Sequence, residues 1–442
     1  MSTLTILIVV AFVIGYLCIA LESVTKINKA AIALLMCVVC WTLLMMGLGN
    51  YYPDVAANGL IGHVSEVIEH HLGDAGGTLF FLMGAMTIVE IVDTNGGFNF
   101  VRDALKTRSK RKLLWRVAFM TFFLSAILDN LTTSIVMIMV LRKLIQNREE
   151  RLIYAALVVV AANSGGAFSP IGDVTTIMLW IKGVITTQGV ISEIFVPSLI
   201  SMIVPAFILQ YSLSGKFDKS QNLPKAEVSH FTQAQRNIIF WLGVGGLIFV
   251  PIFKTLTHLP PFMGILLVLG VLWTVTEVFH HNTAEDDTMA KRVSDILSRI
   301  DLATIMFFLG ILMAVAVLQE VGVLTLLGRG LDATFEGNHY LVTGIIGVLS
   351  SIVDNVPLVA GCMGMYPVEA AGDMAVDGIF WQLLAYCAGV GGSLLIIGSA
   401  AGVVVMGLEK ITFGWYMKKI TWIVFVGYLA GILCYWIEKM IF

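Results

Sequence analysis

Long apolar stretches recur along the whole chain, and polar or glycine-rich breaks interrupt several of them. Leu4 to Ala20, Ala30 to Leu48 and Ile238 to Ile252 are runs of this kind. About 20 apolar residues cross a hydrocarbon core about 30 Å thick. The pattern therefore predicts membrane-crossing helices near 3–21, 29–48, 77–95 and 190–213, and again near 238–257, 261–280, 301–320 and 421–441. Two stretches carry polar residues at their centres. The segment 113–145 holds Leu128-Asp129-Asn130-Leu131-Thr132-Thr133 at its middle, and 152–186 is cut by Asn163-Ser164-Gly165-Gly166-Ala167-Phe168-Ser169-Pro170-Ile171-Gly172-Asp173. Glycine and proline break helices, so the second segment is predicted to be a crossing made of two half-helices.

Charge orients these elements, because Lys and Arg concentrate in cytoplasmic loops. Gly49 to Gly77 contains neither, while Arg102, Lys106, Arg108, Lys110, Arg111, Lys112 and Arg116 follow closely. The first loop is then outside and the second inside, which puts the N-terminus outside. The segment 113–145 is flanked by that cluster and by Arg142, Lys143, Arg148 and Arg151. Both of its ends face the cytoplasm in this reading. An arm of about 16 residues reaches only about 24 Å, which suits a re-entrant hairpin with Asp129 and Asn130 at the tip. Non-helical backbone at such depth is tolerated where protein or a water-filled cavity surrounds it.

The second half repeats the first. Ser125-Ala-Ile-Leu-Asp129-Asn130-Leu131 matches Ser350-Ser-Ile-Val-Asp354-Asn355-Val356 at an offset of 225 residues. Gly165-Gly166 and Gly172 match Gly391-Gly392 and Gly398 at 226, and Phe80-Phe81-Leu82 matches Phe307-Phe308-Leu309 at 227. Three matches in one order signal duplication. The expected fold is an all-α integral membrane protein of two inverted repeats, each of five transmembrane segments plus a re-entrant hairpin. The first repeat covers 1–213, a cytoplasmic linker 214–237, and the second repeat 238–442 with its hairpin near 340–370 and its broken helix near 379–408. Only Arg329 lies in the loops 321–339 and 371–378, so the second hairpin is expected to enter from outside. Five crossings per repeat invert the second copy and put the C-terminus outside as well.

Composition narrows the class further. Hydrophobic residues make up 58% and charged residues 13%, with a mean hydropathy of +0.89, against about half and about a quarter in soluble domains. A net charge of −3 gives no footprint for nucleic acid. The apolar N-terminus lacks a basic leader and a small-residue cleavage site and reads as a retained helix. Cys37 and Cys40 have C-x-x-C spacing inside an apolar helix with no nearby His, which favours packing over zinc or redox chemistry.

The candidate chemistry lies at the four breaks. Intramembrane acids are costly and mark ion or proton paths, and interrupted helices place substrate sites near the midplane. Carboxylate, amide, hydroxyl and carbonyl oxygens suit a small hard cation. The candidate ligands are Asp129, Asn130 and Thr132 with Asn163, Ser164, Asp173 and Thr175, and Asp354 and Asn355 with Ser393 and Ser399. The plainer alternatives are that the acids cap half-helices and that the hydroxyls and amides satisfy local backbone. Glu90 and Asp93 suit pairing with the basic loop, and His70-His71 and His280-His281 suit an interfacial position or a pH sensor.

At these residues the chain resembles the NhaD-type sodium/proton antiporters of the ion transporter superfamily. The paired tips, with Asn163 to Thr176 and Gly391 to Gly402, carry the resemblance, which extends over most of the chain. It implies exchange of internal Na⁺ or Li⁺ for external H⁺ in a bacterial inner membrane, with no cofactor. The wider superfamily also includes arsenite carriers and divalent-anion/sodium symporters, and it implies a homodimer whose transport domains move as elevators. Dicarboxylate relatives read Ser-Asn-Thr at the tips, whereas this chain reads Asp-Asn-Leu-Thr and Asp-Asn-Val-Pro. Carboxylates there would repel an anion, so a Na⁺-coupled anion symporter ranks second. An intramembrane aspartyl protease ranks far lower, since Asp173 follows Ile171-Gly172 and not a Gly-x-Gly.

Overall fold

The computed structural model describes residues 2–20, 26–53, 55, 59–97, 101, 104–213, 215–217, 231–283, 296–352 and 355–441. Every named element among them is helical. In the first half, besides a single turn at Leu48–Tyr51 and a 3-10 turn at Gln210–Ser212, the helices are α1 (Thr3–Ala20), α2 (Lys29–Met45), α3 (Leu60–Thr94), α4 (Lys110–Leu128), α5 (Asn130–Leu144), α6 (Arg148–Ala167), α7 (Val174–Lys182) and α8 (Thr187–Leu209). In the second they are α9 (Gln233–Thr257), α10 (Pro261–Thr283), α11 (Leu302–Glu320), α12 (Val323–Phe335), α13 (His339–Ser350), α14 (Asn355–Met365), α15 (Ile379–Gly391), α16 (Ala400–Glu409), α17 (Phe413–Lys419) and α18 (Thr421–Ile441). Six helices among the described residues are long and apolar enough to cross a membrane. Leu35, Met46, Trp241, Leu256 and Trp422 are among the large apolar side chains that face outward, as lipid-facing positions require.

Local signals set the helix ends. Asn28, Ser109, Asn147 and Thr186 each accept a backbone N–H at the start of α2, α4, α6 and α8, which removes donors left unpaired in a first turn. Thr232 and Gln235 form a capping box on α9. Gly183, with φ of 80°, stops α7 in the left-handed conformation.

Two elements differ from the hydropathy reading. α3 spans 35 residues and begins at Leu60, well before the expected 77. Its first turns carry Glu66, Glu69, His70, His71 and Asp74, so the helix continues where the apolar signal stops. α12 occupies the expected loop 321–339 and buries Val323, Leu324 and Gly328. Its one-sided apolar pattern is that of a helix lying on a surface.

The packing has an internal symmetry. α4 packs on α6 as α13 packs on α15, and α8 packs on α18. Across the halves, α2 lies on α11 while α10 lies on α3, and α5 lies on α16 while α14 lies on α7. At the centre stand α6 and α15. Every residue from Tyr154 to Ala167 and from Phe380 to Gly391 is buried, and a helix apolar all round belongs inside.

Close contact between these helices depends on glycine. A Cβ on Gly165 would stand 2.1 Å from the Phe122 carbonyl oxygen, and one on Gly391 would stand 2.1 Å from the Gly347 carbonyl oxygen. Beside them, Ser125 Oγ donates to Ala162 O at 2.6 Å and Ser350 Oγ to Ala388 O at 2.9 Å. The same contacts recur at the offset that relates the two halves in sequence.

Candidate functional site

The two broken crossings meet at their gaps. α6 ends at Ala167 and α7 restarts at Val174, capped by Asp173, whose Oδ1 accepts from Thr175 N at 3.0 Å. α15 ends at Gly391 and α16 restarts at Ala400, capped by Ser399, whose Oγ accepts from Gly402 N at 3.1 Å. The two caps have nearly the same backbone, with φ of −145° in both and ψ of 146° and 155°. A carboxylate at a helix N-terminus is favoured by the helix dipole. Asp173 and Ser399 are equivalent in fold and different in charge.

Amides tie the gaps together. Asn130, at the first turn of α5, donates from Nδ2 to Asp173 Oδ2 at 2.7 Å and to Asn163 Oδ1 at 3.0 Å. Asn163 then donates from Nδ2 to Ser393 Oγ and Ser399 Oγ, each at 2.9 Å. All five residues are buried, with Asn163 fully covered and Asp173 1% exposed. One carboxylate, two amides and two hydroxyls thus converge from both halves. Their oxygens are hard donors. Among the described residues, no three His, Cys, Asp or Glu side chains form a cluster of the kind that holds a transition metal.

The remaining candidates take other positions. Asp129 joins α4 to α5 with φ of 81° and ψ of 160°, a region nearly reserved for glycine that costs on the order of 1–3 kcal/mol. Its two carboxylate oxygens accept from Thr132 N and Thr132 Oγ1, both at 2.8 Å. Asp129 and Thr132 therefore cap α5 beside the network and do not hydrogen-bond into it. Ser164 accepts from Ser201 Oγ at 2.9 Å, so it faces α8. Thr175 Oγ1 is buried with no partner among the described residues, an oxygen two residues from Asp173. Asn355 is buried at the start of α14 and makes no side-chain hydrogen bond among the described residues. Asp354 lies outside the described residues.

Several supporting residues escaped the sequence reading. Ser201 positions Ser164, and Tyr416 OH donates to the Ser393 carbonyl at 2.8 Å. Buried Glu409, at the end of α16, receives Arg142 Nε at 2.7 Å and Arg151 Nε at 2.8 Å. The signal for Glu409 was available as an acid at the end of an apolar half-helix opposite a basic cluster. In the sequence that cluster marks sidedness alone. Glu90 pairs with Arg299 at 3.7 Å, and His71 pairs with Glu320 at 2.9 Å.

The model of the family described as "Citrate transporter" (CitMHS) matches residues 16–384. The chain is 46% identical over 96% of its length to "Sodium/proton antiporter 1" of Arabidopsis thaliana, covering 71% of that protein. It is 43% identical to "Sodium/proton antiporter 2" of the same plant, over 96% of this chain and 97% of the relative. Against "Na(+)/H(+) antiporter NhaD" of Alkalimonas amylolytica the identity is 30% over 98% of this chain and 90% of the relative.

Proposed function

We propose, from the premise that the chain belongs to the CitMHS family and within it to the NhaD-type antiporters, that it exchanges Na⁺ or Li⁺ for H⁺ across its membrane. The chain is a multi-pass transporter and not an enzyme. The carrying observation is the buried Asp173 carboxylate, linked through Asn130 and Asn163 to Ser393 and Ser399. A bare charge there is costly and must be neutralised. A proton or a small cation can each do so, and one carboxylate accepts one or the other. Competition at a single site couples the two fluxes without a further device.

The donor set favours a cation over an anion. The family description names citrate, yet the tips 128–133 and 353–357 and the breaks 163–176 and 391–402 contain no Lys or Arg. An organic anion would meet Asp173 with no positive side chain from those four segments. In the same reading the two halves are inverted repeats, α4–α5 and α13–α14 are re-entrant hairpins, and alternating access is of the elevator type in a homodimer. The exchanged packing of the halves supports the repeats. The Lys and Arg distribution supports both termini on the non-cytoplasmic side, and the reading takes the membrane to be a bacterial inner membrane.

Counter-transport in proteoliposomes with defined ion gradients tests the proposal. Wild type should move Na⁺ against an imposed proton gradient, and Asp173→Asn should insert normally while exchanging at a small fraction of the rate. Asn keeps size and hydrogen bonding but loses the titratable charge. Full exchange by that variant would exclude Asp173 as the carrier. Citrate uptake by wild type would instead favour the anion symporter.

A further inference from the structure

Between α3 and α11 on one side and α7 and α14 on the other lies a cavity of about 370 Å³, none of whose lining residues belongs to the hydrogen-bonded network. Its polar lining follows helical stripes. His71, Asp74 and Thr78 come from α3, Gln319 from α11 and Lys182 from α7. Met178 of α7 and Ala360 of α14 also line it. Met178 stands five residues beyond the cap Asp173, and Ala360 five beyond Asn355, the first residue of α14, about 7.5 Å at 1.5 Å per residue. The cavity thus runs along the two helices whose first turns carry the candidate site.

At the other end Lys182 Nζ donates to Asp74 Oδ2 at 3.4 Å, and both side chains are half exposed. The pair joins α3 to α7. One wall is fixed by His71, which meets Glu320 Oε1 at 2.9 Å while Tyr52 OH donates to Glu320 Oε2 at 2.8 Å. The opposite wall belongs to a half-helix of the candidate site. A pair so exposed adds little stability, so it can part readily if these helices move.

We infer that this cavity is the outer vestibule through which the cation reaches Asp173, and that Asp74 keeps its mouth open to cations by neutralising Lys182. The inference rests on the exchange reading and on Gly49–Gly77 lying outside. Without Asp74 the Lys182 ammonium would stand unbalanced at the entrance and repel arriving cations. Charges at a channel mouth act on association rate and are screened by salt, with a Debye length of about 8 Å at 0.15 M.

The test uses the full-length protein reconstituted in one orientation. Asp74→Asn should raise the apparent Michaelis constant for external Na⁺ about three- to tenfold at low ionic strength, and leave the internal constant and the maximal rate unchanged. Impermeant inert salt should shrink the effect, and the double change Asp74→Asn with Lys182→Gln should restore the wild-type value. An unchanged external constant, or no restoration in the double variant, would overturn the gating role. Separately, Thr78→Cys should react with a membrane-impermeant thiol reagent from outside, with peptide mapping used to exclude the six native cysteines. If Asp74→Cys reacts and Thr78→Cys does not, water does not enter the cavity from outside and the vestibule is excluded. This labelling needs no Na⁺ flux, so it separates a failed vestibule from a failed exchange reading.

Discussion

Asn163 and Ser399, 236 residues apart in the chain, are joined by a 2.9 Å hydrogen bond between the two central gaps. The same amide nitrogen holds Ser393, and its carbonyl oxygen receives Asn130. The position equivalent to Asn163 in the second half, at the 226-residue offset, is Gly389. A Cβ there would meet Ala167 at 3.1 Å and Asp173 Oδ2 at 3.7 Å. One half therefore supplies the bridging amide and the other leaves room for it and for the carboxylate.

Removing that amide should disconnect the halves at the site. Asn163→Ala leaves Asn130, Ser393 and Ser399 each short of a buried partner, at about 1–3 kcal/mol for each unpaired group. The apparent Michaelis constant for Na⁺ should rise at least about tenfold, since 1.4 kcal/mol is one decade. Na⁺ dependence of initial rates in proteoliposomes measures this, and an unchanged constant would place the cation elsewhere.

The close helix contacts make a steric prediction. Gly165→Ala and Gly391→Ala each put a methyl about 2.1 Å from a backbone oxygen, so α4 must shift from α6, or α13 from α15. Overpacking of this kind costs about 1–3 kcal/mol. Thermal unfolding in detergent should show both variants destabilised, with Gly73→Ala, which meets nothing within 4 Å, as an unaffected control.

The buried acid at the end of α16 makes a third. Glu409→Gln withdraws the charge that Arg142 and Arg151 share. Breaking a buried pair from one side costs about 3–5 kcal/mol, and the partial exposure of Arg142 lowers the expectation to about 2–3 kcal/mol. The melting temperature should fall by several degrees. A melting temperature equal to wild type would show that water already compensates the arginines.

Much of the candidate site is legible in the sequence because duplication marks the tips and the glycine-rich breaks twice. Ser125 and Ser350, which open the repeated seven-residue match, make the same hydrogen bond to the equivalent carbonyls of α6 and α15. Asn130, Asp173, Ser393 and Ser399 stand at helix interruptions and Asn163 about one turn before one, so the five meet. What escaped notice lacks such a mark. Ser201 and Tyr416 sit inside or beside ordinary apolar helices, and only the packing shows that they hold Ser164 and Ser393. The polar first turns of α3 carry no hydropathy signal, so hydropathy marks only its apolar part. Asp129 shares its residue type with Asp173, and its carboxylate turns toward Thr132.

The central claim is that Na⁺ and H⁺ compete for the Asp173 site, and initial exchange rates across Na⁺ concentrations at several pH values test it most directly. A proton on the carboxylate excludes the cation, so lowering the pH should raise the apparent Michaelis constant for Na⁺ and leave the maximal rate nearly constant. Each unit of pH should change the constant by up to about tenfold per displaced proton, or 1.36 kcal/mol. A maximal rate that collapses on acidification while the Na⁺ constant stays fixed would contradict competition and point to a separate proton switch.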